Sequence, residues 1–162
     1  MKILVNHLTR MQAGYICVAG LDTETNTHVR PVLARSRLAV DLLKRKKGPF
    51  DIAVIVDLGN VQAQGKAPEI EDYLFDQAQL SALKELPPGR FWKLLEGVSQ
   101  DTLRKIFGKA LQPQRRGCAI DEGTGSASLG ACSLLDRRNY RSTVGGSFGQ
   151  ISTTALSMLI CR

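Results

Sequence analysis

The side chains able to do covalent or acid–base chemistry are few. His7 and His28 are the only imidazoles in 162 residues, so any histidine-based acid–base scheme must use one of them. His7 lies in Asn6-His7-Leu8-Thr9-Arg10, a polar cluster that either binds an anion or substrate or caps neighbouring elements with side-chain hydrogen bonds. Ser147 stands at the centre of Gly-x-Ser-x-Gly (residues 145–149), but a nucleophile elbow needs a later acid and histidine. No Asp, Glu or His follows Ser147, so this stretch reads as a flexible glycine–serine loop. The same segment lacks the lysine of a P-loop, and Gly123-Thr124-Gly125 lacks the remaining glycine of a dinucleotide fingerprint.

Metal chemistry is no better supplied. Cys17, Cys118, Cys132 and Cys161 contain no pair at zinc-knuckle spacing, and they read as buried, reduced thiols with no metal or cofactor. The alternative is a metal site or a disulfide, for which Cys118 and Cys132 could face each other across a hairpin. The acidic stretch Pro68-Glu69-Ile70-Glu71-Asp72 lacks the pattern of a calcium loop. Asp121-Glu122 occupies a glycine turn, where acidic residues are common for conformational reasons.

A cationic surface remains. Arg10, His28, Arg30, Arg35 and Arg37 gather in the first third of the chain, with Tyr15 near them, and Lys44-Arg45-Lys46-Lys47 follow. Basic and aromatic side chains on the outside of a small barrel are the means of holding single-stranded nucleic acid. The lysine run has a blander reading, as compensation for the negative end of a helix.

The elements that must position these residues are mostly strands. Tyr15 to Leu21 is apolar on both faces; a polar turn (residues 22–27) leads into a second strand, His28 to Leu33. Alternation puts Val29 and Leu33 on the buried side and Arg30 away from the core. Pro31 places this strand at an edge or end. Ile52 to Leu58 is a third strand, with Ile52, Val54, Val56 and Leu58 on one face that another layer or barrel closure must cover. Between them, Leu38, Leu42 and Leu43 predict a short helix stopped by Gly48-Pro49. Asp76 is a candidate cap for a helix carrying Ala78, Ala82, Leu83 and Leu86; Phe91, Leu95 and Val98 mark a second, and Asp101 is a candidate cap for a third through Ile106 and Phe107. Trp92 and the phenylalanines are expected in the core. Cys118 to Ile120 and Ser126 to Leu129 suggest a hairpin, and Ile151 to Cys161 a last strand.

Composition agrees with a folded domain: 43% hydrophobic, 23% charged, net charge +7. Residues 1–66 carry ten basic and five acidic side chains, 67–112 six and seven, and 113–162 six and three. This divides the chain into a basic N-terminal β region, a helical insertion and a C-terminal β region with a Gly/Ser-rich segment, expected to form one compact unit. No apolar run approaches the roughly 20 residues of a membrane span, and the start is too short in apolar residues for a secretion signal, so a cytoplasmic protein is expected.

Several ordered segments carry a resemblance. Asn6-His7-Leu8-Thr9-Arg10-Met11, Gly14-Tyr15-Ile16-Cys17-Val18-Ala19-Gly20, His28-Val29-Arg30-Pro31-Val32-Leu33, Gly48-Pro49-Phe50-Asp51-Ile52, Arg116-Gly117-Cys118-Ala119-Ile120-Asp121-Glu122-Gly123 and Ala127-Ser128-Leu129-Gly130 are similar to bacterial proteins with a dual OB-containing domain. The likeness spans roughly residues 3–132 and implies OB-like barrels and nucleic-acid binding; it carries over no catalytic residue. After Cys132 too few strand-forming residues follow for a full second barrel. The expected fold is therefore mainly β (α+β overall), an OB-like β-barrel with a helical insertion and an incomplete second barrel. The expected function is non-catalytic binding of single-stranded DNA or RNA. The alternatives are a protein–protein interaction module acting with a catalytic partner, and an enzyme using His7 or His28.

Overall fold

A computed structural model describes residues 1–114, 117–134 and 155–160. Strands β1 (Lys2–Arg10) and β2 (Tyr15–Asp22) form a long antiparallel hairpin, followed by β3 (His28–Val32), β4 (Leu38–Ala39), β5 (Val54–Asp57), β6 (Val61–Ala63), β7 (Asp72–Phe75) and β8 (Ser81–Glu85). These eight make one curled half-barrel sheet in the order β6-β7-β3-β2-β1-β5-β8, with β4 beside the start of β2. Every pairing in it is antiparallel except β3 with β7. Helices α1 (Pro88–Val98) and α2 (Leu103–Phe107) come next, then a small hairpin of β9 (Gln112–Gln114) and β10 (Gly117–Ala119), and an antiparallel pair of β11 (Leu129–Leu134) and β12 (Ala155–Ile160).

Alternation along β1 decides where the core sits. Ile3 and Val5 point to one face, packing with Val18, Val29, Phe50, Val56 and Leu58, while Leu4 points to the other. That second face is covered by α1, whose Phe91 and Leu95 lie one turn apart and close on Leu4, Leu21 and Leu86. The sheet is thus apolar on both sides of β1 and β2, which is why Tyr15 to Leu21 shows no polar alternation.

The Leu38–Lys47 segment does not form the expected helix. It is β4 followed by two single 3-10 turns, Val40–Leu42 and Lys44–Lys46, although Leu38, Leu42 and Leu43 are buried as the spacing implied. Lys47 closes the second turn in a left-handed conformation, and a Cβ at Gly48 would lie 2.2 Å from the Leu42 carbonyl carbon, so only glycine fits. The helix expected after Asp76 is also absent. Asp76 Oδ1 accepts from the Ala78 amide and caps one 3-10 turn, after which the chain becomes β8, all five residues of it exposed. The third helix is capped by Thr102, whose Oγ1 accepts from the Lys105 amide, rather than by Asp101.

Phe107 is 1% exposed and belongs to the interior as expected; Trp92, at 45%, does not, and stacks its ring edge-on against Phe91 from outside. The expected hairpin between Cys118 and Leu129 is replaced by the β9–β10 pair, and the last strand lies within the expected range at Ala155–Ile160. Residues 145–149, Arg115, Arg116 and Cys161 lie outside the described residues. No described helix is long and apolar enough to cross a membrane.

Candidate nucleic-acid interface

Register places Arg10 and Tyr15 at one end of the sheet, and Arg35 and Arg37 lie in the connection that leads into β4. Arg10, the last residue of β1, sits opposite Ile16; Tyr15, the first residue of β2, sits opposite Ala39 of β4. Arg37 immediately precedes β4, and its guanidinium carbon lies 5.9 Å from the centre of the Tyr15 ring, a cation–π contact. Arg35 is in the same connection and, like Arg10 and Arg37, is exposed. The turn that links β1 to β2 uses Ala13 and Gly14 at positive φ and is closed by the Met11 amide donating to the Tyr15 carbonyl at 2.8 Å. One guanidinium thus lies against the Tyr15 ring, with the exposed Arg10 at the end of the adjoining strand and the exposed Arg35 two residues before Arg37.

Lys44, Arg45, Lys46 and Lys47 are all exposed, on the 3-10 turn that follows Leu43. They are not equivalent. Lys44 Nζ donates to Glu85 Oε2 at 2.5 Å, and that hydrogen bond, with the carboxylate's charge, raises the lysine's pKa. Arg45, Lys46 and Lys47 form no ion pair among the described residues.

Arg30 corrects the expectation from alternation. Its residue is only 7% exposed, its Nε donates to Asp72 Oδ1, and its second contact is Glu69 Oε1 at 3.0 Å from Nη2. Burial works against the charge, but the hydrogen bonds and charges of Asp72 and Glu69 outweigh it and raise the pKa. Arg30 does lie opposite the Val29 side of the strand, yet β7 pairs with β3 in register, Arg30 against Asp72, and brings the carboxylates over it. A guanidinium bound by two carboxylates has little left for a phosphate.

His28 is separated from the patch as well. It pairs with Leu21 at the far end of β2, and it lines a cleft of about 440 Å³ with Glu71, Tyr73, Gln100 and Lys105. Its enclosed Nδ1 has no hydrogen-bond partner among the described residues. Burial lowers its pKa, and the Glu71 charge partly offsets this. His7 sits opposite Ala19 on the other side of β2, just past a bulge between Val5 and His7, and burial lowers its pKa too. The strand β2 therefore stands between the two imidazoles.

Sequence reasoning missed Glu71. Its carboxylate is buried and accepts from the Ser128 amide and hydroxyl, both at 2.8 Å, and from the Leu129 amide at 3.2 Å. Its backbone carbonyl accepts from the Arg30 amide at 2.7 Å. Ser128 is wholly buried and its hydroxyl donates a hydrogen bond to the carboxylate, so this serine–acid pair is a structural clasp. The only available signal was the acidic stretch 68–72 lying beside no basic run of its own. Cys118 is exposed and Cys132 buried, and burial, with a smaller contribution from Asp101, raises the Cys132 pKa. Among the described residues no group of three or more His, Cys, Asp or Glu gathers to hold a metal. Comparison with the models of known families, with curated proteins and with solved structures finds no match to this chain.

Proposed function

We propose that this chain is a non-catalytic nucleic-acid-binding protein, built on an OB-like barrel, that holds a single strand across the rim formed by Arg10, Tyr15, Arg35 and Arg37. The observation that carries the reading is the Arg37–Tyr15 contact. It sets a guanidinium beside an aromatic ring, and Arg10 and Arg35 are exposed as well; stacking with phosphate neutralisation is how sequence-tolerant binders grip a single strand. Arg45, Lys46 and Lys47 supply a second cationic segment for the same backbone. The curled half-barrel sheet supports the barrel assignment. Arg30 and His28 have no part in the interface.

The test is a filter-binding panel of short single- and double-stranded DNA and RNA. Arg35→Ala and Arg37→Ala should each weaken single-strand binding similarly across sequences. Each should also make the slope of log affinity against log salt shallower by about 0.7 per lost contact. Unchanged affinity in the double variant, with the circular dichroism spectrum intact, would refute the proposal.

A further inference from the structure

A second surface, sharing no residue with the Tyr15–Arg37 rim, has a different chemistry. Between the start of β1, β5, β8 and α1 runs a groove of about 370 Å³. Leu4, Leu21, Ile55 and Leu86 form its floor, and Leu83 and Leu94 stand at its rim with 49% and 37% of their surface exposed. The rim leucine follows from a bulge. Ile55 faces Lys84 and Val56 faces Ala82, so Leu83 is the extra residue, and consecutive Leu83 and Lys84 both line the groove. Lys2, Lys84 and Arg90 ring this apolar floor and form no ion pair among the described residues. Among the described residues the only carboxylate in the lining is Asp22, whose Oδ1 already accepts the Glu24 amide at 2.8 Å.

We propose that this groove docks an acidic, leucine-bearing peptide segment of a partner protein. Aliphatic floor and cationic rim together ask for an occupant with both apolar side chains and several carboxylates. Among the described residues no aromatic ring lines the groove, so they offer a nucleobase nothing to stack on. A second copy of this chain is disfavoured by the edge itself: edge-to-edge pairing of β8 would set Lys84 near Lys84 across a bulged strand, the usual device against such pairing. The inference is independent of nucleic-acid binding and survives its failure.

The experiment is fluorescence anisotropy of the whole protein with a labelled peptide of about 12 residues that alternates leucine and glutamate. Lys84→Glu with Arg90→Glu should weaken binding at least about tenfold, and peptides with Glu→Gln or Leu→Ser should bind wild type at least about tenfold more weakly. A lysine-for-glutamate peptide should bind the charge-reversed variant better than wild type. Leu94→Ser, at an exposed position, gives a second variant should the charge reversal disturb folding. Equal binding by wild type and both variants overturns the proposal. So does displacement of the peptide by oligo-dT through Lys84 and Arg90, which would make the groove a nucleic-acid surface. Self-association of the protein lost on Lys84→Glu would assign the groove to a second copy and overturn it equally.

Discussion

Replacing Arg30 with alanine should cost stability rather than binding. The guanidinium is buried, donates to Asp72, and reaches Glu69 at 3.0 Å. The two carboxylates respond differently to its loss. Glu69 is 47% exposed and can turn to water, so its share is about 0.5–1 kcal/mol, the worth of a surface pair. Asp72, at 20%, stays largely enclosed beside the space left behind, and an unpaired charge-assisted hydrogen bond there costs about 2–3 kcal/mol. The sum, about 3 kcal/mol, corresponds to a fall in Tm of about 6–12 °C for a chain of this size. Thermal melts followed by circular dichroism measure it directly. A double variant, Arg30→Ala with Asp72→Asn, should recover part of the loss because the stranded charge is gone. A change within about 0.5 kcal/mol, accompanied by weaker oligonucleotide binding, would refute the reasoning and return Arg30 to the surface.

Two further outcomes are expected. Phe107→Ala should destabilise the protein by about 3–5 kcal/mol in urea titrations, since the ring is fully enclosed; a near-neutral effect would contradict that burial. Stability should fall as pH drops below 6.5, because burial lowers the pKa of both His7 and His28 in the folded state. The unfolded chain then takes up protons that the folded one refuses, with a slope of up to about 1.4 kcal/mol per pH unit for each histidine. His28→Gln should flatten that slope, and a urea midpoint that rises on acidification would contradict it.

Particular residues show how far the sequence could be read. Tyr15 to Leu21 announced β2 because both of its faces are covered, and Phe91 with Leu95 announced α1 because helical spacing and burial coincide. The segment after Asp76 misled because Ala78, Ala82, Leu83 and Leu86 carry helical spacing, yet β5 needed an outer partner and the chain supplied β8. At Arg30 the alternation correctly separated it from Val29, but a local pattern is silent about what lies above an outward residue. The cover came from Glu69 and Asp72, some 40 positions away. The Tyr15–Arg37 rim was legible only as composition; the register of β4 against β2 turned proximity in sequence into contact.

The Glu71 clasp bears on the order in which the chain assembles. One residue accepts from Arg30 through its backbone and from Ser128, 57 positions away, through its side chain. Closing so long a loop is entropically costly, whereas the β1–β2 hairpin closes over a few residues. The clasp is thus a contact of long sequence separation and the hairpin a local one, a difference that slows the first and speeds the second. Contacts absent from the folding transition state govern how fast a native protein opens and leave its folding rate nearly untouched. Through Glu71 the half-barrel sheet is tied to Ser128 and to Leu129 at the start of β11, so Glu71→Gln should speed unfolding in stopped-flow urea jumps more than it slows refolding.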